Sequence, residues 1–494
     1  MNGRRQTRRT VLSGVAGVVA TGVVANGASA SRTPIVGEEW PQYGYDAANT
    51  GHAPDGTVAD RGVTEAWSFQ VEEGTLVSPV VAAGTVYVAT RSGTLYAVGT
   101  ASGTEQWSVE YTGDNGWTSP PALTNGTVYV GTINDDLYAL DAASGDVQWR
   151  DETDDSLNWV LSPTVRDGTV YAGSSDARAS AVDAETGAVQ WEDELPDPAT
   201  TPAVADGTVY YGSINNEGGR VTALSAASGT RSWTNPLSES ANLIAAPVVG
   251  DGQVYVASDD SNLYALDADE GDVQWSYDAG EDSKRAYVPP TVADGTVYVT
   301  HDQAAVSAVD ASSGDNEWTA ELAAWSHSKP VVVGDTLLIG TDGGTLAALD
   351  AASGDQRWTH EFDSDDPVTT AAVANETIYV SVGDTMYALV AASPPTDTES
   401  TATSVAGKRT TAGSYNGGEQ PTQQSVSTSA TPTTNPPDED ERSPDGETPS
   451  DVASDTTSAD GAGFTAPVAL LGSGVSVAVS RWVRDSTGTS DQSD

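Results

Sequence analysis

Seven tryptophans recur along the middle of the chain at almost constant spacing. Successive members are 42, 42, 42, 42, 43 and 40 residues apart, and each lies four residues after a glycine. The seven are Trp107, Trp149, Trp191, Trp233, Trp275, Trp318 and Trp358. So regular a repeat restricts the chain to an array of one structural unit, because each copy buries its apolar face against its neighbours.

Each repeat reads as a set of short β-strands. Aligned on the glycine and the tryptophan, it begins roughly S-P-x-V-x-D-G-T-V-Y-V-G-S and ends L-Y-A-L-D-A-x-S-G-D-V-Q-W. Alternating apolar residues separated by Asp-Gly or Asn-Gly pairs predict strands joined by tight hairpins. In the second unit we predict strands at 121–123, 127–132 and 137–141 and a fourth that carries Trp149. Four strands in about 42 residues are typical of a β-propeller blade.

The repeat count predicts a closed ring. An eighth unit begins at residues 375–377 and ends at 387–389 without a tryptophan, whereas residues 63–71 around Trp67 offer an unassigned strand. If that N-terminal strand completes the last blade, no strand edge is left open. The predicted fold is therefore all-β, an eight-bladed β-propeller over residues 62–392, preceded by a lead-in segment at 31–61.

The tryptophan-bearing unit resembles the tryptophan docking motif of the PQQ-like (pyrroloquinoline quinone) propeller family. The lead-in, which reads WPQYGYD from Trp40 to Asp46, resembles the N-terminal stretch of the same family. The resemblance covers roughly residues 40–392. It implies that each repeated tryptophan packs between neighbouring blades as a structural docking residue: Trp67, Trp107, Trp149, Trp191, Trp233, Trp275, Trp318 and Trp358.

The same resemblance implies a possible enzyme, since the family includes quinoprotein dehydrogenases. Its enzymes are characterised by a cysteine pair over the quinone, a calcium site and a catalytic aspartate. This chain has no cysteine, and its short units hold no long insertions. The aspartates that recur beside one turn (Asp141, Asp183, Asp267, Asp310 and Asp350) are typical of turn caps. We predict no catalytic residue and no metal site; PQQ with calcium is the alternative cofactor set.

One face of the predicted ring differs from unit to unit. We letter the four strands of each unit A to D in chain order. Because their direction alternates, the loops that join strand D to the next strand A and strand B to strand C share one face, near the channel mouth. Aromatic and basic residues cluster there, which suits a sugar, quinone or anionic peptide ligand; alternatively, the aromatic rings only fill the channel. The candidate ligand-binding residues are Trp117, Trp159, Tyr287, Trp325, His327 and Lys329. On the opposite face, Asn125 and Asn375 begin possible N-glycosylation sequons.

Charge excludes one large class of partner. The chain has 71 acidic and 21 basic residues, which gives a formal net charge of −50. Nucleic-acid binding needs clustered Lys and Arg, so no nucleic-acid partner is expected. Thirteen tryptophans and 18 tyrosines argue for a folded rather than a disordered chain. The acidic composition resembles that of salt-adapted archaeal proteins, and in dilute buffer these charges should loosen the fold.

Both ends of the chain read as targeting segments. Residues 1–30 contain Arg8 and Arg9, an uncharged stretch and a small-x-small cleavage site at 28–30. They resemble a twin-arginine signal peptide, with an N-terminal membrane anchor as the alternative.

The C-terminal region begins with residues 393–460, which are rich in Ser, Thr, Pro and Asp and predict a disordered stalk. A weakly apolar segment at 461–484 resembles an archaeal sorting signal or serves as a membrane tail, and residues 485–494 form a polar tail.

Together these features predict an exported, cell-surface, monomeric propeller tethered by its C-terminal region. Its expected role is non-enzymatic binding or assembly, with an envelope protein or a surface glycan as partner. Two alternatives remain: a PQQ-dependent oxidoreductase without the cysteine pair, and a carbohydrate-binding surface module.

Overall fold

The computed structural model describes residues 39–110, 119–132, 136–151, 161–213, 219–238, 245–279, 288–301 and 304–393. Over these ranges the chain forms 33 β-strands and no α-helix. Within the same ranges, nothing helical is long and apolar enough to cross a bilayer. The predicted signal peptide, the stalk beyond residue 393, the C-terminal apolar segment and the polar tail all lie outside the described residues.

The strands group into eight blades that follow one another along the chain. A two-residue strand and the longer strand that completes blade 8 precede them; these are β1 (His52–Ala53) and β2 (Val63–Gln70). The strands of blades 1 to 4 are β3 (Val80–Ala82), β4 (Thr85–Ala89), β5 (Thr94–Gly99), β6 (Glu105–Glu110), β7 (Ala122–Thr124), β8 (Thr127–Gly131), β9 (Leu137–Asp141), β10 (Val147–Asp151), β11 (Thr164–Arg166), β12 (Thr169–Gly173), β13 (Arg178–Asp183), β14 (Val189–Glu194), β15 (Ala203–Ala205), β16 (Thr208–Gly212), β17 (Arg220–Ser225) and β18 (Arg231–Pro236). Those of blades 5 to 8 are β19 (Val248–Gly250), β20 (Gln253–Ala257), β21 (Asn262–Asp267), β22 (Val273–Asp278), β23 (Thr291–Ala293), β24 (Thr296–His301), β25 (Ala305–Asp310), β26 (Asn316–Glu321), β27 (Val331–Val333), β28 (Thr336–Gly340), β29 (Thr345–Asp350), β30 (Gln356–Glu361), β31 (Ala372–Ala374), β32 (Thr377–Val382) and β33 (Thr385–Ala391).

The N-terminal strand closes the ring, which confirms the predicted eight-bladed architecture. Blade 8 has the strand order β2-β33-β32-β31, and β2 pairs antiparallel with β33 from Val63↔Ala391 to Gln70↔Thr385. Blades 1 to 6 are antiparallel sheets made of four consecutive strands each. The first strand of the propeller and its last three strands are thus held in one sheet. Neither end of the propeller is therefore a strand without a partner.

The tight turns predicted from Asn-Gly and Asp-Gly pairs join the first two strands of five blades, numbers 2 to 6. In blade 2, Asn125 and Gly126 have φ angles of 49° and 77°, and they connect β7 to β8. Two successive positive φ angles define the turn that matches the twist of an antiparallel hairpin. Blade 2 begins one residue later than predicted, at Ala122, because Pro121 has no amide hydrogen for the ladder.

Apolar side chains of the middle strands fill the space between adjacent blades. Between blades 2 and 3, for example, Tyr129 and Leu137 of one sheet pack with Val170 and Val182 of the next, all almost completely buried. Each outermost strand carries a register irregularity next to its tryptophan, as between Glu65 and Trp67 in β2. Such a bulge re-aims the side chain that follows it, here toward the neighbouring blade.

The lead-in segment runs around the central channel and touches the innermost strand of seven blades in order. In blade 1, Trp40 and Val81 exchange two backbone hydrogen bonds of 2.7 and 2.8 Å. Blade 3 is held by Gln42, whose Oε1 accepts from the Val165 amide at 3.1 Å. In the other five blades, an amide of the innermost strand donates to a lead-in carbonyl: Leu123 to Pro41, Val204 to Ala47, Val249 to Ala48, Val292 to Thr50 and Val332 to Gly51.

Candidate functional site

All eight repeated tryptophans bridge from their own blade to a neighbouring segment. Each indole N–H donates to a backbone carbonyl at 2.7 to 3.2 Å. For seven of them the acceptor is the C–D turn of the next blade, as Trp107 to Ala142; Trp358 instead donates to Ala59 of the lead-in. These rings are therefore part of the architecture, and no ligand is needed to explain them.

For seven of these tryptophans, a glycine in the next blade leaves the space that the indole ring occupies. A Cβ atom added to Gly271 would lie 2.5 Å from Cδ2 of Trp233, and one added to Gly187 would lie 2.7 Å from the same atom of Trp149. Real Cβ atoms do not approach so closely, so the Gly-x-x-x-Trp spacing couples two blades: the glycine of one unit accommodates the tryptophan of the unit before it.

The recurring aspartates cap turns, as the sequence indicated. Oδ1 of Asp141 accepts from the amides of Ala143 and Ser144 at 3.0 and 2.9 Å. Asp310 accepts likewise from the amides of Ser312 and Ser313. It also accepts from the Ser312 hydroxyl, and this hydrogen bond does most to hold the pKa of the Asp310 carboxyl below the usual value. Residues 267–271 read D-A-D-E-G, which faintly resembles the start of a calcium-binding loop. They form the same turn, since Oδ1 of Asp267 accepts from the amides of residues 269 and 270.

The loops that join strands D to A and B to C form what we call the loop face, and the other connections form the turn face. Of the predicted loop-face ligand residues, Trp117, Trp159 and Tyr287 lie outside the described residues. The structure brings Trp325 and His327 together on the blade 7 loop and adds Asp342, which the sequence did not single out. On the turn face, Asn125 and Asn375 are exposed with positive φ; their glycosylation stays a prediction.

Trp325 is held with its ring toward solvent. Four large apolar side chains of the described residues are exposed, and Trp325 is the aromatic one among them, with 60% of its surface accessible. The backbone beneath it is fixed: the Asp342 amide donates to the Trp325 carbonyl at 2.8 Å, and Ser326 Oγ donates to the Gly340 carbonyl at 2.8 Å. Beside it, Nδ1 of His327 lies 2.5 Å from Oδ2 of Asp342.

Lys329 departs from the prediction that placed it with these surface residues. Its side chain is completely buried (0% exposed), and its ammonium donates to the Pro290 carbonyl. Burial lowers the pKa of Lys329 to about 7, while the negative charge of Asp46 in the lead-in opposes that shift. The physical reason is position: Lys329 and Pro330 directly precede β27, the innermost strand, which faces the channel and the lead-in.

The burial of Lys329 could have been inferred by comparing the residue at its position between the units. In five of the other seven units, the residue before the proline that precedes the innermost strand is small: Ser78-Pro79, Ser119-Pro120, Ser162-Pro163, Thr201-Pro202 and Ala246-Pro247. Blade 7 has Lys329 at this interior position. Its carboxylate neighbour Asp46 is itself anchored, because it accepts hydrogen bonds from the backbone and hydroxyl of Thr50 at 2.9 and 2.8 Å.

The described residues do not fit the quinone and calcium site that the family resemblance implies. The whole chain has no cysteine to form the pair over the quinone. Over the described ranges, no group of three or more His, Asp or Glu side chains is placed to hold a metal ion. The aspartates that might have served are occupied as turn caps, and we derive no reaction step through PQQ.

The geometry defines a class: an eight-bladed propeller of the tryptophan-docking type in which the loops of one face vary from blade to blade. A family model described as "Outer membrane protein assembly factor BamB" matches residues 55–205, 198–289 and 283–433. These matches span more than half of the chain, so the chain belongs to this PQQ-type propeller family. No curated protein matches the sequence.

Solved structures with the same fold include both non-enzymatic proteins and enzymes. BamB from Moraxella catarrhalis is similar at 20% identity and a TM-score of 0.54, covering 67% of this chain and 98% of its own. Quinohemoprotein alcohol dehydrogenase from Comamonas testosteroni is similar at 18% identity and a TM-score of 0.59, covering 73% and 82%. A europium-containing methanol dehydrogenase has 16% identity and a TM-score of 0.59, covering 70% and 89%. At such identities the likeness establishes the fold and leaves the role open.

Proposed function

We propose that this protein is an exported, non-enzymatic propeller that binds or assembles envelope components through its loop face. The observation that carries the proposal is the contrast between the two kinds of tryptophan. The eight repeated indoles donate hydrogen bonds to neighbouring segments of the propeller. The Trp325 side chain is instead exposed to solvent, on a loop that hydrogen bonds hold in place. An indole that leaves 60% of its surface in water stabilises its own chain less than a buried one, and tryptophans are enriched at binding sites.

The location outside the cell is part of the proposal. It rests on the twin-arginine pattern at Arg8 and Arg9 and on the Ser/Thr/Pro-rich stretch that follows the propeller. The acidic surface agrees with a salt-adapted archaeal source. In this arrangement a monomeric propeller is tethered by its C-terminal region and turns its loop face toward a partner.

Site-directed photo-crosslinking in the producing cells tests which face is used. A benzophenone amino acid is placed at position 323 of the full chain, where Ala323 is exposed on the loop that carries Trp325, or, as a matched control, at position 189, where Val189 is 47% exposed at the start of β14 on the turn face. We expect discrete adducts with envelope components from position 323 and none from position 189. Adducts from 189 alone, or from neither position, would contradict the proposal.

A quinone titration separates binding from catalysis. The purified full chain in molar salt is titrated with PQQ, with and without calcium, while tryptophan fluorescence reports binding and an artificial electron acceptor reports turnover of alcohols and sugars. We expect no saturable change up to millimolar PQQ and no turnover. Saturable binding with turnover would make the protein a quinoprotein oxidoreductase and overturn its non-enzymatic role.

A further inference from the structure

The Trp325 ring is a free stacking surface. It is 60% exposed, whereas Trp40 and the docking rings Trp191 and Trp358 are at most 8% exposed. Within the described part of the chain, no other aromatic ring stacks on it. An indole face of this kind can accept the C–H face of another flat or puckered ring, and most of its apolar area is still available for that contact.

The loop that carries the ring is organised before any ligand arrives. Two hydrogen bonds of 2.8 Å fix residues 325 and 326 to the neighbouring B–C loop, and the Ser328 amide donates to Ser326 Oγ at 3.3 Å. Fixing these groups in advance reduces the entropy that ordering them would cost when a ligand binds.

Hydrogen-bonding groups lie next to the ring. The carboxylate of Asp342 accepts from the His327 amide at 3.2 Å through Oδ1, and its Oδ2 lies 2.5 Å from Nδ1 of His327. Both side chains reach solvent, with exposures of 45% for His327 and 25% for Asp342. A carboxylate oxygen has more than one lone-pair site, so Asp342 can hold its imidazole and still accept from a ligand hydroxyl.

The ligand that best matches the exposed indole and the polar groups beside it has an apolar ring face and hydroxyl groups at its rim. A protein partner would need a wider apolar surface, since a stable interface buries roughly 800 Å² on each side. The other exposed large apolar side chains of the described residues, Val147, Val189 and Val273, begin strands on the turn face. An anionic sugar would be repelled by Asp342 and by the net charge of −50.

We propose that Trp325, His327 and Asp342 bind one unit of a neutral, hexose-type saccharide, with the pyranose stacked on the indole and its hydroxyls bonded to the carboxylate and the imidazole. This inference rests on the proposed loop-face function and names its ligand class. Nothing in it requires Lys329, whose buried ammonium cannot reach a ligand at the surface.

Saturation-transfer NMR on the full chain in molar salt tests the site, with maltopentaose and mannopentaose as neutral probes and a galacturonic acid pentamer as the anionic one. We expect transfer to the pyranose C–H protons of a neutral probe, saturating at roughly millimolar concentration as for a weak single-ring contact, and none to the anionic probe. Trp325→Ala should abolish the transfer, and His327→Ala should weaken binding about five- to tenfold, equivalent to roughly 1 kcal/mol for a lost hydrogen bond.

Val189→Ala is the matched control, because it removes exposed apolar surface from the opposite face and should leave the transfer unchanged. Trp325 packs on no described ring, so Trp325→Ala should fold normally, which an unchanged denaturation midpoint would verify. Absence of transfer from both neutral probes, or equal transfer with Trp325→Ala, would overturn the saccharide site. In that case crosslinks from position 323 would still support the loop-face scaffold, so the two failures can be told apart.

Discussion

Replacing Gly271 by alanine should destabilise the propeller by about 3 kcal/mol, whereas the same change at Gly252 should cost about 1 kcal/mol. Both glycines lie in the blade 5 region with nearly identical φ angles of 76° and 75°. A left-handed backbone costs any L-residue roughly 1 to 2 kcal/mol, and this cost is common to the two variants. Only at Gly271 would the new Cβ meet a neighbour, 2.5 Å from Cδ2 of Trp233, whereas nothing lies within 4 Å at Gly252.

The difference between the two variants therefore measures the docking of one tryptophan. Displacing Trp233 overpacks the interface of blades 4 and 5 and strains its hydrogen bond to the Ala268 carbonyl at 3.1 Å. Denaturant unfolding of the full chain in molar salt, followed by tryptophan fluorescence and circular dichroism, gives both free energies of unfolding. Equal losses in the two variants would show that backbone strain alone accounts for the glycine and that the ring contact contributes nothing.

We expect the free energy of unfolding of the native protein to rise between pH 7 and pH 9, and Lys329→Met should remove this rise. Burial lowers the pKa of Lys329 to about 7, whereas a lysine in the unfolded chain titrates near 10.4. Between these values the unfolded state holds more protons than the folded state, so the free energy of unfolding increases with pH. With one group involved, the increase from pH 7 to pH 9 is about 2 kcal/mol.

The charged group that faces the Lys329 amine is Asp46 of the lead-in, which remains in the methionine variant. Methionine has a similar volume and no titration in this range, so the variant should gain most stability at pH 7 and least at pH 9. Lys408→Met, in the sequence beyond residue 393, is the control for removing a positive charge elsewhere. Denaturation at several pH values measures all three proteins, and parallel pH profiles for the native chain and Lys329→Met would contradict a neutral buried amine.

The repeat pattern was sufficient to predict the fold because the contacts between blades depend on particular residue types, glycine and tryptophan. Each Gly-x-x-x-Trp spacing encodes a bulged strand and the turn that receives the ring of the previous blade. The eighth unit, residues 375–389, has no tryptophan, and this absence together with the strand around Trp67 locates the closure in blade 8. The contact between this glycine and the tryptophan of the previous blade is found seven times in the propeller, so the copies support one another when they are aligned.

The lead-in circuit could not be predicted in the same way. Its contacts use backbone carbonyls, such as those of Ala47 and Thr50, which carry no mark of residue type. The buried position of Lys329 follows from that circuit, because the lead-in covers the inner strand that Lys329 precedes. His327 and Asp342 were missed as a pair for a related reason: fifteen residues separate them, and only the packing of the blade 7 loops joins them.

The course of the lead-in has a consequence for the order in which the molecule can be assembled. Residues 40–70 are the first part of the described propeller to be synthesised, yet their partners are spread over all eight blades, and Trp358 reaches Ala59 across 299 positions of the chain. Contacts of such long sequence separation close late and slow folding. The segment made first thus completes its contacts last, because β2 and the Ala59 carbonyl find their partners only when synthesis has passed blades 7 and 8.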